Sequence, residues 1–309
     1  SRVKSRASVT KLSRRSCSAS QKANRHGAKM DQELALAILL SGRSALLTGA
    51  AGTGKTYLLN TFIAQARKRG KKVSVTATTG LAATHLGGNT IHSWSGIGVN
   101  DHLPNNFFER LSKTRRDVIS KTDVLIIDEI SMLHDFRLDM IDKVLRTVRE
   151  NDRPFGGIQL VMSGDFFQLP PVNRPNEQGG GFVVYSDAWQ ELQPAVLYLE
   201  RQYRQSDEQL LEILTALRTG DVRRRHVEAL LARTEIESPD GDITELHTVN
   251  VDVDDINIQK LAELPGEERS YQQTTTGSKI YVENLQRSVL APENLVIKLG
   301  ALVMAVKNS

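Results

Sequence analysis

One cysteine, Cys17, is all the chain contains, so neither an internal disulfide nor a cysteine metal cage is available, and a reducing compartment is the default. No run of about 18 apolar residues occurs, which leaves no helix to span a membrane. No internal repeat of fixed period is apparent. Acid is missing altogether from residues 1–29, which hold nine basic side chains between Arg2 and Lys29. The remaining 280 residues carry 31 Lys and Arg against 36 Asp and Glu, so the folded part is net negative and the formal charge of +4 belongs to the tail. A basic isoelectric point therefore says nothing about what the body binds, and a nucleic-acid partner has to be argued from motifs.

That Ser-rich tail lacks hydrophobic periodicity and reads as disordered. Its composition fits upstream sequence translated in frame ahead of Met30, a mitochondrial transit peptide, or a nucleic-acid-binding arm. A bacterial cytoplasmic location is the default, with a mitochondrial or nuclear one if the tail is a targeting segment. At 309 residues the chain is long enough for two domains and a buried core.

From Met30 onward helical faces alternate with short apolar strands, the pattern of an α/β protein. Gln32 to Leu40 reads as a helix ended by Gly42, and Ala45 to Leu47 as a strand running into Gly49. A glycine loop, a helix through Arg69 and strands at Val73 to Thr76, Val124 to Ile127 and Gln159 to Met162 follow. The stretch from about 96 to 118 reads as a small irregular insertion, and Pro194 as a lobe boundary.

Two motifs carry chemistry. Gly49-Ala50-Ala51-Gly52-Thr53-Gly54-Lys55-Thr56 fits GxxxxGK[ST] between a strand and a helix. Its glycines let backbone N–H groups curl around a phosphate, Lys55 reaches the outer phosphates, and Thr56 offers a hydroxyl to magnesium. The apolar strand ending in Asp128-Glu129 delivers two carboxylates at the sheet edge that faces a nucleotide in such folds. Asp128 is expected to hold Mg2+ and Glu129 to orient or deprotonate the attacking water.

The run Asp128-Glu129-Ile130-Ser131-Met132, with Pro154-Phe155-Gly156-Gly157 and Gly164-Asp165-Phe166-Phe167-Gln168-Leu169-Pro170-Pro171-Val172, resembles the Pif-type DNA helicases, relatives of the RecD motors. Thr76 to Ala83 with Thr90-Ile91-His92-Ser93, and Glu200-Arg201-Gln202-Tyr203-Arg204-Gln205, resemble further motifs of that family. Residues 136–149 fall where the family carries its identifying insert. The resemblance runs from Met30 to Ser309 and implies a P-loop NTPase, with a first RecA-like lobe over 30–198 and an incomplete second one over 199–309.

By that resemblance Gln32 reads adenine, Gln168 senses the γ-phosphate, and Arg204 is an arginine finger from the second lobe. Thr79, His92, Ser93, Phe167 and Asn250 contact DNA. Val249 departs from the second-lobe motif, which has Ser or Thr there. ATP and Mg2+ are the implied cofactors, single-stranded and forked or structured DNA the partners, and a monomer the working unit. The family implies 5′ to 3′ unwinding and roles in DNA repair, recombination and telomere maintenance. Leu290 to Asn308 resembles the lead into a β-barrel insertion after which family members carry further motifs, so a fragment is expected. Alternatives are an ATP-binding remnant without unwinding activity and a P-loop ATPase acting on protein partners.

Overall fold

The structure, a computed structural model, describes residues 30–98, 100–173, 178–203, 207–234, 250–277 and 292–303, with His247 and Val282. These fall into two compact units, one ending at Asp221 and one beginning at Val222.

In the first unit the elements follow the chain as α1 (Gln32–Leu40), β1 (Ala45–Gly49), α2 (Lys55–Lys68), β2 (Val73–Ala77), α3 (Gly80–His85), β3 (Asn89–Thr90) and α4 (Ile91–Ser95). Then come α5 (Phe107–Arg110), α6 (Lys113–Lys121), β4 (Val124–Asp128), α7 (Asp135–Arg149), β5 (Gln159–Gly164), α8 (Asp187–Leu192), β6 (Ala195–Leu199) and α9 (Glu208–Thr219). The six strands form one parallel sheet in the order β3-β2-β4-β5-β1-β6.

Strands buried on both faces send successive side chains to opposite sides, so each apolar run feeds two cores. Leu46, Leu125, Ile127, Leu160 and Met162 face a core built with Trp94, Ile119, Leu138, Ile141 and Leu145. Their neighbours Leu47, Ile126 and Val161 face the other way, onto Leu39 of α1 and Leu58, Leu59 and Phe62 of α2. This double coverage fixes the strand register, because a one-residue slip would exchange the two cores.

Two expectations change. The stretch expected to be irregular contains α5 and α6; the Ser112 side chain caps α6 by accepting from Arg115 N, and Phe107, Leu111 and Ile119 are buried. Pro194 does not end the sheet, since β6 follows it at once and pairs with β1. The stretch of the expected identifying insert is the long helix α7, whose last residue, Arg149, reaches back to its neighbours. Its Nη1 donates to the carbonyls of Ile119 (3.1 Å), Ser120 (2.8 Å) and Thr122 (3.0 Å), and its Nε to that of Gly156 (2.8 Å).

The second unit holds α10 (Arg224–Thr234), α11 (Asn250–Glu263) and the antiparallel pair β7 (Arg269–Gln272) and β8 (Asn294–Ile297). Lys298 after β8 donates to the carbonyls of Ala262 (3.2 Å) and Leu264 (3.1 Å), tying the pair to the end of α11.

Candidate active site

The loop between β1 and α2 is shaped by what its glycines leave out. A Cβ on Gly49 would lie 2.4 Å from the Leu199 carbonyl oxygen, and one on Gly54, at φ +81°, 2.2 Å from Gln32 Nε2. At Gly49 the approach of a backbone carbonyl demands glycine, and at Gly54 the left-handed φ favours it. Lys55 Nζ donates to the carbonyls of Gly49 (2.9 Å) and Ala50 (3.0 Å), which holds the ammonium across the mouth of the loop. Thr53 is buried, with its hydroxyl on the Ala50 carbonyl at 2.9 Å. Gln32 Nε2 reaches the Thr53 carbonyl at 3.4 Å, and Tyr203 N donates to the Gly52 carbonyl at 2.9 Å. Thr56, next in α2, is exposed.

β5 lies between β1 and β4, so the ends of these three strands bring their side chains to one edge. Burial lowers the Lys55 pKa and the Arg218 guanidinium adds to that, while Asp165, Glu129 and Asp128 oppose it. Burial also raises Asp128 above the usual carboxylate range, against a hydrogen bond from the Ser163 side chain. Glu129 is raised by burial and by the neighbouring Asp128. Its backbone sits at φ +53°, ψ +40°, a left-handed conformation costly for a side-chain-bearing residue. Thr78 secures that turn by donating its hydroxyl to the Glu129 carbonyl at 2.9 Å.

After β5, Asp165 is buried and collects three donors. Phe167 N binds Oδ1 at 3.1 Å, while Gln168 Nε2 at 3.4 Å and Arg218 Nη1 at 2.7 Å share Oδ2. Gln168 and Phe167 themselves are exposed. Asp165, Arg218 and Tyr203 are the members of this site that the sequence reading did not assign; Tyr203 was legible as the residue beside Arg204 in the quoted motif.

The flank of the same edge, beyond β2 and β3, is built differently. Thr79 accepts from Ala82 N at 3.2 Å and caps α3; Thr90 does the same for α4, accepting from Ser93 N at 3.3 Å. Ser93 is exposed. His92 turns inward, and its Nε2 lies 3.2 Å from Arg137 Nη1, while Nη2 of the same guanidinium donates to Asp101 Oδ1 at 3.2 Å. Because a guanidinium has no acceptor, this Nε2 carries no proton and takes the hydrogen bond. Burial, then the charges of Arg137 and His134, push the His92 pKa down to about 4. His92 is therefore a neutral brace near neutral pH, its Nε2 taken up by Arg137. Arg204 lies outside the described residues, and Asn250 opens α11 with its side chain outside them.

Residues 27–223 match the family model of the PIF1-like helicases. The ATP-dependent DNA helicase Pif1 of Psychrobacter sp. (strain PRwf-1) is 43% identical over 290 residues, which are 91% of this chain and 44% of that protein. The crystal structure of Candida albicans Pif1 helicase superposes with a TM-score of 0.77 at 35% identity, covering 89% of this chain and 64% of that one. A Bacteroides Pif1 helicase in complex with ADP-AlF3 and single-stranded DNA gives 0.67 at 29% identity, over 89% of this chain and 65% of that one. This chain thus spans less than half of the curated relative and about two thirds of each solved one.

Proposed function

The chain belongs to the PIF1-like helicase family, and from that premise we propose that it acts as an ATP-dependent DNA helicase, tracking one strand and opening duplex where it meets a fork. The observation that carries the reading is the convergence on Lys55 of Asp128 and Glu129 from the end of β4 and of Asp165 from the end of β5, all three in electrostatic contact with its ammonium.

Each residue has a task that its chemistry suits. The loop amides and Lys55 receive the phosphates, Lys55 exchanging two carbonyl partners for phosphate oxygens. Gln32, already tied to the loop, presents an amide to the adenine edge. Glu129, its affinity for protons raised by burial, takes the proton of the attacking water, and Gln168 contacts the γ-phosphate. Arg204 supplies a guanidinium to the developing charge. Thr56 and Asp128 fit Mg2+, which keeps several waters and accepts one or two protein oxygens alongside substrate phosphates. When bound, that ion neutralises phosphate charge. On the DNA side Phe167 offers a face to a base, while Thr79 and Ser93 line the strand's path. One chain acts as the unit, working in the bacterial cytoplasm. No described helix is long and apolar enough to cross a membrane.

The test is ATP hydrolysis with and without single-stranded DNA, and strand separation on a duplex with a 5′ overhang, for the parent and Glu129→Gln. Hydrolysis stimulated by DNA and abolished in the variant is expected. ATP binding with no DNA response in any assay would favour an ATP-binding module instead and sink the helicase reading.

A further inference from the structure

Asp165 is 2% exposed, and the Arg218 side chain that reaches it from α9 is 15% exposed. Burying such a pair has a desolvation cost that apolar side chains of similar volume would avoid, so packing alone gives no reason for it. What sets the pair apart is what else it touches. The same guanidinium lies 4.4 Å from the centroid of the Phe167 ring, and its Nε donates to the Tyr198 hydroxyl at 3.3 Å. The Asp165 carboxylate, a rigid planar group, holds the Phe167 backbone with one oxygen and the Gln168 amide with the other.

We propose that Arg218 is a positioning residue that couples the nucleotide edge to the stacking face: acting through Asp165, it fixes Gln168 and Phe167 relative to each other. The inference rests on the helicase reading and deepens it. Gln168 and Arg218 compete for Oδ2, and at 3.4 Å against 2.7 Å the glutamine holds the weaker bond. When Gln168 turns to a γ-phosphate it releases Oδ2, and the carboxylate re-aims toward Arg218. Because the carboxylate is rigid, Oδ1 moves as well and carries the Phe167 amide with it. The guanidinium over the ring follows, so the aromatic face shifts with nucleotide state. Lysine would keep the charge but lose both the fork and the stacking plane.

The experiment is a two-ligand binding cycle on the full 309-residue chain. The affinity for a fluorescein-labelled oligo-dT is measured with and without ATPγS, and the affinity for ATPγS with and without oligo-dT. Linkage requires both routes to give the same coupling factor, which in ordinary allosteric proteins is about 5–150-fold. The expected result is a parent factor in that range, one within about twofold of unity for Arg218→Gln, and an intermediate one for Arg218→Lys. A coupling factor in Arg218→Gln equal to the parent's overturns the proposal. So does a loss of both affinities by one common factor, the signature of a purely structural role. Should Arg218→Gln fail to fold, Arg218→Lys decides by the same criterion. A parent that binds both ligands without coupling overturns the inference alone, whereas a parent that binds neither overturns the helicase reading with it.

Discussion

At the ends of β1, β4 and β5 the acidic side chains converge on a lysine that backbone carbonyls hold in place. At the ends of β2 and β3, on the same edge of the same sheet, the polar side chains are spent on the scaffold. Lys55 rests on two loop carbonyls and Gln32 on a third, which leaves their polar ends free to exchange partners. Thr79 and Thr90 are consumed as helix caps and His92 as an acceptor for Arg137. A small polyanion that reacts at one point needs atoms placed in advance. A polymer that slides past asks only that the surface exist, and on the proposed reading the flank's side chains would build that surface more than touch what lies on it.

The comparison would break most visibly if Glu129→Gln and Thr79→Ala behaved alike in hydrolysis. Loss of the base should lower turnover by roughly 10²–10⁴-fold with ATP still bound, whereas Thr79→Ala should leave turnover within a few-fold of the parent. The acid limb of the parent's pH–rate profile should lie above the ordinary glutamate value, since burial and Asp128 both raise Glu129.

Next in size is the pH dependence of stability. Unfolded His92 binds a proton near pH 6.5, but the folded side chain does so only near pH 4. Over that window the unfolded state binds more protons, so stability is full above about 6.5 and falls as the pH drops. The loss is about 3 kcal/mol at most. Urea titrations at several pH values should show it, and His92→Gln should flatten it; an unchanged slope in the variant would remove His92 from the brace.

Gly54→Ala should cost about 1–2 kcal/mol of stability from its left-handed φ. It should also weaken ATP binding, because the new methyl displaces Gln32 Nε2. A melt and a nucleotide titration on one sample check both effects. Smallest is the cap: Thr79→Ala should lower stability by about 1 kcal/mol, with Thr79→Ser close to the parent. Ser93→Ala should be thermally silent, so any drop in its oligo-dT affinity would report a direct contact.

How much of this was legible in the sequence follows from how far apart the cooperating residues lie. The phosphate loop and the Asp128-Glu129 strand end are contiguous, and their spacing alone places them. Gln32 was reachable only through the family resemblance. β3 has only two residues, too few for a periodicity, and β6 is hidden by Pro194, which reads as punctuation. Arg218 pairs with a residue 53 positions away, and nothing local marks it. For the same reason nothing local ties α9 to the sheet: it falls within the compact unit that ends at Asp221, and its contact with Asp165 spans more than any window along the chain contains. The helices of the insertion were signalled by Ser112, but their polar faces outweighed that cap in a reading based on apolar periodicity.

Arg149 can also be viewed as an engineering element. Its guanidinium gathers the last carbonyls of α6, the turn into β4 and the approach to β5 onto the end of α7. Bonds arranged in parallel on one rigid plate share a shearing load, whereas bonds in series fail one at a time. A pull on the insertion is therefore passed to a 15-residue helix and to the sheet beneath it. The expected consequence is that α6 resists unravelling from its C-terminal end as long as Arg149 keeps its grip.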